Sequence, residues 1–190
     1  SILANGTQPK PHIILCLASF KALHEYDWSD QLLGNDDLED VISRQITEPN
    51  KEDSLKSNIA VLGEITDKVS IKVKEQYEEN PYPRWVNLGL TLKPASITQV
   101  SKGIKLKLSN DEILSVHMPD ILVAGCGTGQ HSIGTANRFK NSKVLAVDIS
   151  LSSLAYAKRK TQELGIHNID YMQADILELR SLGRQFDIIE

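Results

Sequence analysis

The chain has little of what marks several functional classes. Its two cysteines, Cys16 and Cys126, form no C-x-x-C and no metal-ligand spacing with the five histidines, so neither a disulfide framework nor a zinc site is indicated. A reduced, cytoplasmic compartment is the expectation. Aromatics are sparse at 5%. Long hydrophobic runs are missing too. Ile13 to Ala18 is far too short to span a bilayer, and it lacks the basic flank of a signal peptide. No charge of one sign dominates: 21 basic and 25 acidic side chains leave −4. Nucleic acid is therefore not indicated as a partner, nor an anionic membrane. What remains is 190 residues with 41% apolar content, enough for one domain plus an extension.

Three stretches are expected from the pattern. Residues 1–85 read as a helical extension and linker, 86–118 as a variable connector, and 119–190 as an α/β unit. In the first, Ile13, Ile14, Leu17, Phe20, Ala22 and Leu23 have the spacing of one helical face over 11–25. Gly34-Asn35 signals a turn. Leu38, Val41, Ile42 and Ile46 predict a second helix ended by Pro49, with 48–58 a charged loop. Thr66 or Asp67 caps a third helix through about Glu79, with Val69, Val73 and Tyr77 on one face. Asn80-Pro-Tyr-Pro-Arg-Trp85 then enforces an extended path. Within 86–118, alternation of Ile104, Leu106 and Leu108 with lysines fits a short strand or a solvated linker.

From Pro119 the pattern changes. Ile121–Ala124 is a short apolar strand, Gly125-Cys-Gly-Thr-Gly129 a tight glycine loop, and 130–139 a helix. Val144–Asp148 is a second strand ending in a carboxylate, and Ser152–Leu164 a helix closed by Gly165. Ile169–Gln173 is a third strand, followed at once by Ala174-Asp175. Phe186–Ile189 opens a fourth. Strands alternating with helices imply a parallel sheet with helices on both faces. The chain reads as truncated at about strand four.

Three features coincide at the carboxyl ends of three successive strands, the edge where open α/β sheets bind ligands. The glycine loop lets the backbone turn sharply and approach a ligand, and the helix after it offers free N–H groups to an anion. Alone it also reads as an ordinary strand-to-helix turn. Asp148, with Ile149 beside it, has the placement to accept hydrogen bonds from both ribose hydroxyls of an adenosine. It also reads as a helix N-terminal acid. Asp175, between Ala174 and Ile176, has the placement to accept from an adenine amino group. It also reads as a cap with Glu178 at capping-box spacing.

Ile121-Leu-Val-Ala-Gly-Cys-Gly-Thr-Gly-Gln130 resembles the first motif of the class I (Rossmann-like) methyltransferases. Val144–Asp148 resembles their ribose motif, Gln173-Ala-Asp175 their adenine motif, and Phe186–Ile189 their fourth strand. Val73-Lys-Glu-Gln-Tyr-Glu-Glu-Asn-Pro-Tyr-Pro-Arg-Trp85 is similar to a bacterial group that often carries tetratricopeptide repeats, though no repeat signature is present here. The resemblance implies S-adenosyl-L-methionine as cofactor. It implies a site built from Gly125, Cys126, Gly127, Thr128, Gly129, Asp148, Ile149, Ala174, Asp175 and Ile176. Arg84, on the extended Pro-rich segment, is a further candidate to meet the methionyl carboxylate, and it reads equally as a solvated arginine beside anchoring Tyr82 and Trp85. The methyl acceptor is expected to be a protein or small molecule, and no catalytic base is named. One departure stands out. Class I enzymes commonly place an acid two residues before the first glycine, where this chain has Val123.

Two other readings compete. One is a truncated, catalytically incomplete module that binds cofactor or a partner. The other is an NAD-dependent oxidoreductase, since Asp148 lies 19 residues beyond Gly129. Against the latter, Gln130 stands where the dinucleotide pattern wants its last glycine.

Overall fold

The alternating apolar segments after Pro119 fold as strands because each can bury both of its faces. The structure, a computed structural model, describes residues 8–32, 36–108 and 111–190. Strands β2 (Asp120–Ala124), β3 (Lys143–Asp148) and β4 (Ile169–Gln173) pair in parallel in the order β4-β3-β2. β5 (Ile188–Ile189) adds beyond β2, with Ile121 opposite Ile188. β1 (Ala60–Val61) adds beyond β4, with Ala60 opposite Met172. The result among the described residues is a five-stranded, wholly parallel sheet.

Side chains alternate across this sheet as strand geometry requires. Ile121, Val123, Val144, Ala146 and Tyr171 form one buried layer with Ala136, Leu154, Ala155 and Ala157. Those partners belong to helices α6 (Gln130–Arg138) and α7 (Leu151–Glu163). Leu122, Leu145 and Val147 point to the opposite face and meet Leu179, Leu182 and Phe186. That second face is covered by a 3₁₀ segment, Ile176–Leu182, rather than a long α-helix. Gly165 at φ +66 follows α7 in the left-handed conformation that closes a helix.

The chain packs as two units, one through Ser54 and one from Leu55 onward. The unit that holds the sheet thus begins well ahead of Pro119. Its upstream part contains β1, helix α4 (Lys68–Glu79) and helix α5 (Ile97–Gly103). Of the two cap candidates, Thr66 and Asp67, it is Asp67 that caps α4, its carboxylate accepting from Val69 and Ser70 N–H at 2.9 Å each. Backbone hydrogen bonds to α4 hold that carboxyl below its ordinary range, the Ser70 bond first. α5 was not anticipated, yet Ser96 and Gln99 form a reciprocal capping box at its start. The alternating strand at 104–108 does not form. Ile104 and Leu106 are exposed and the backbone is irregular, so the solvated-linker reading holds.

In the first unit the Gly34-Asn35 turn lies outside the described residues. Helix α1 (Pro11–Ala18) starts on a proline whose missing N–H costs nothing there. It stops short of residue 25. Gln45 ties the following turn, accepting from Leu23 N–H and donating to the Ala18 carbonyl, and Phe20 is left 85% exposed. Ile14, Leu23, Leu38 and Ile46 form this unit's own core. The second helix does not end at Pro49. α2 (Glu39–Ile42) runs through a π-helical stretch, Ser43–Thr47, into α3 (Glu48–Lys56). Proline within a helix lacks one N–H and crowds the carbonyl four residues earlier. A wider π turn just ahead of it relieves that crowding, so the expected loop at 48–58 is mostly helix.

Candidate functional site

The carboxyl ends of β2, β3 and β4 open onto a cavity of about 590 Å³, a size suited to a small-molecule ligand. Its floor is backbone and carboxylate. After Ala124 the chain turns back at once, and the N–H groups of Gly125 and Cys126 both donate to the Val147 carbonyl, at 2.8 and 2.9 Å. Gly125 and Gly127 have φ of +78 and +53, conformations that side chains rarely adopt, and a Cβ at either would meet nothing within 4 Å. Glycine there is a matter of backbone shape. At Gly129 it is also a matter of space: an added Cβ would sit 2.5 Å from the Ala157 Cβ and 3.3 Å from the Tyr171 hydroxyl. The Tyr171 hydroxyl, 2.7 Å from Thr161 Oγ1, is itself pushed up in pKa by burial.

Asp148 ends β3 inside this floor. Its Oδ2 accepts from the Gly127 N–H at 2.7 Å and its Oδ1 from the Ser150 N–H at 3.0 Å. Burial raises the carboxyl's pKa; the N–H donors of Ser150, Gly127 and Ile149 act in the opposite sense, and the Glu78 charge adds to the rise. This carboxylate therefore holds the glycine loop in shape, from the strand beside it. Val123, two residues before Gly125, is buried in the apolar layer instead of supplying an acid. Cys126 is buried, and burial followed by the Asp148 charge keeps its thiol far above the ordinary range. It is a small filler and not a nucleophile.

Asp175, buried after β4, caps the 3₁₀ segment by accepting from Leu177 N–H at 3.0 Å. It also lines the cavity, with Ala174 and Ile176 beside it. Capping and facing the cavity are thus compatible. Gln173 donates to the Ile149 carbonyl at 2.8 Å, which fixes the end of β4 against the turn after β3.

The roof comes from upstream. Val69, Ser70, Val73 and Tyr77 of α4, with Tyr82 and Pro83, face the same cavity. Beyond Pro83 the extended strap is fastened to the glycine loop. Trp85 Nε1 donates to the Thr128 carbonyl at 3.0 Å, and Thr128 Oγ1 donates to the Pro83 carbonyl at 2.6 Å. The Tyr156 hydroxyl donates to the Trp85 carbonyl. Arg84 is not among the cavity's lining residues. Its guanidinium lies 4.8 Å from the centroid of the Tyr156 ring, where the ring face offers a cation–π contact. Gly129 does not line the cavity either; it acts through the turn.

Nine of the residues singled out in the sequence do meet at the cavity: Gly125, Cys126, Gly127, Thr128, Asp148, Ile149, Ala174, Asp175 and Ile176. Sequence reading missed Ser153 and the α4 face as walls, although the helical spacing of Val69, Val73 and Tyr77 was visible. At the other rim, His131 Nε2 lies 3.0 Å from Glu190 Oε2, which also accepts from Thr135 Oγ1 at 2.6 Å. Among the described residues no group of His, Cys, Asp or Glu is arranged to hold a metal ion, and no helix is long and apolar enough to cross a membrane.

Residues 121–190 match the family model described as "Methyltransferase domain". The chain is 32% identical over 77 residues to a tRNA (guanine-N(7)-)-methyltransferase of Rubrobacter xylanophilus, covering 40% of this chain and 34% of that protein. It is 35% identical over 80 residues to a release factor glutamine methyltransferase of Flavobacterium psychrophilum, covering 42% and 28%. The chain thus spans about a third of the length of these curated relatives. Among solved structures, PKMT2 from Rickettsia typhi in complex with AdoHcy is 28% identical, with a TM-score of 0.35, over 37% of this chain and 14% of that one.

Proposed function

We propose that the class I methyltransferase domain in this chain binds S-adenosyl-L-methionine in the 590 Å³ cavity and serves methyl transfer. One observation carries the reading. Asp148 and Asp175 close two successive parallel strands, beside a glycine loop closing a third, and all three face one cavity. The residues fit the cofactor's chemistry. Asp148 is acceptor-only when ionised and suits two vicinal ribose hydroxyls. Asp175 and the backbone around Ala174 suit the edge of an adenine. The first turn of α6, entered through Gly129, suits the carboxylate of the amino-acid end.

When bound, the cofactor supplies an electrophilic methyl on a sulfonium, a good leaving group. The chain's contribution is to hold and orient it and to exclude water, which is where positioning lowers the barrier. Gln130, in the place of a last dinucleotide glycine, lines the cavity, so NAD is not the favoured ligand. The reading extends to a protein or small-molecule acceptor, supported by the net charge of −4, and to a cytoplasmic setting, supported by unpaired Cys16 and Cys126. The two curated relatives act on different acceptors by name, a tRNA guanine and a release-factor glutamine, so neither is carried over.

The test is calorimetric titration of S-adenosylhomocysteine, with NAD for comparison and Asp148→Asn as control. Saturable binding that is weakened about 100-fold in the variant and absent for NAD is the expected outcome. Binding of NAD instead, or no binding by the folded chain, overturns the reading.

A further inference from the structure

Glu78 is the next to last residue of the roof helix, yet its hydrogen bonds are made elsewhere. Its Oε1 accepts from the Leu151 N–H at 2.6 Å. Its Oε2 accepts from the Ser152 N–H at 3.0 Å and from Ser152 Oγ at 2.7 Å. These donors are the first residues of α7. The first N–H groups of a helix have no partner within it, and a carboxylate there is favoured by the helix dipole. Next to it, Ser150 Oγ donates to the Tyr77 carbonyl at 3.0 Å while accepting from Ser153 N–H. The end of α4 is thereby clasped to the turn that follows β3.

That turn also carries the floor's central carboxylate. Asp148 accepts from the Ser150 N–H, immediately before the two N–H groups that Glu78 takes. Two carboxylates therefore share three consecutive backbone N–H groups, one carboxylate belonging to the floor and one to the roof. Val73 and Val69, exposed on α4, line the cavity about one and a half and two and a half turns upstream of the clasp. We propose that Glu78 is a positioning residue of the cofactor site: by capping α7 it fixes the turn that aims Asp148 and holds α4 closed over a bound nucleoside.

The inference rests on the cofactor reading above, and one experiment separates the two. S-adenosylhomocysteine binding and dissociation are measured for the wild-type chain and for Glu78→Gln. Glutamine keeps the size but has one acceptor oxygen in place of two, so it cannot cap all three donors. The variant is expected to bind on the order of tenfold more weakly, through faster dissociation. The fraction of binding-competent protein should stay unchanged. Hydrogen exchange gives the readout that general destabilisation would not. In the wild type the ligand protects 125–129 and 68–80; in the variant protection persists at 125–129 and is lost at 68–80.

A pH series adds a second. The titratable groups lining the cavity around Asp148 are Cys126 from the loop, Asp175 after β4, His131 on α6, and Tyr77 and Tyr82 from the roof, with the Glu78 charge nearby. Removing the Glu78 charge removes one cause of Asp148's raised pKa, so the acid limb of binding should move to lower pH. Equal affinity, dissociation and protection in the two proteins would overturn the role of Glu78 and leave the cofactor reading standing. Absence of binding by folded wild type overturns both.

Discussion

The floor and the roof of the cavity are built from different materials. The floor is set by strand register: Asp148 lies opposite Gln173 in the parallel ladder, and Ala124 opposite Val147. Its carboxylates, Asp148 half-buried and Asp175 buried, are already hydrogen-bonded. The roof is a half-exposed helix whose valines stand open among the described residues; Val69 is 69% exposed. It is held at one end by a few charge-assisted bonds. A rigid polar floor gives direction and selectivity, because its donors and acceptors cannot move to suit another ligand. A lightly held apolar roof gives contact area and a way in and out.

The sharpest way to break the contrast is at the floor's tightest point. Gly129→Ala would place a Cβ 2.5 Å from that of Ala157 at a φ of +85. Overpacking and backbone strain together should cost about 3 kcal/mol or more, seen as a large fall in thermal midpoint and loss of ligand binding. Asp148→Asn comes next. An amide cannot serve Gly127, Ser150 and two ribose hydroxyls as acceptor, and affinity for S-adenosylhomocysteine should fall about 100-fold in calorimetry.

The same carboxyl gives a pH signature. Its folded pKa is raised, chiefly by burial, and only the ionised form accepts from both hydroxyls. Affinity should therefore be full above that raised value and fall as pH drops through it, while Asp148→Asn shows no such limb. Trp85→Phe removes the donor to the Thr128 carbonyl and should cost about 1 kcal/mol of stability by denaturant unfolding. The smallest effect is expected at the roof. Val73→Ser should weaken binding less than about tenfold and leave the unfolding midpoint in place.

How much of this was legible in the sequence follows from locality. The floor was legible because its signals are short-range: an apolar strand, three glycines with positive φ, and acids directly after strands. Asp67 as the cap of α4 was legible for the same reason. β1 was not, because two residues carry no periodicity and Ala60–Val61 pairs only once β4 is in place. Pro49 misled because the π turn that accommodates it has no simple sequence mark. Arg84 was expected at the cavity, but the nearest aromatic face, Tyr156, lies on α7 and is invisible to local pattern. Glu78 carries no local mark of its role. Its partners lie 73 and 74 residues away, a distance that only the folded chain closes.

The most direct measurement is a map of amide chemical shifts in the isotope-labelled chain as S-adenosylhomocysteine is added. The account predicts saturable shifts at Gly125, Gly127, Ile149 and Ile176 on the floor and at Val69 and Val73 on the roof, with the helices before Ser54 unmoved. Saturable shifts confined to any other surface, or none at all in a folded chain, would contradict it.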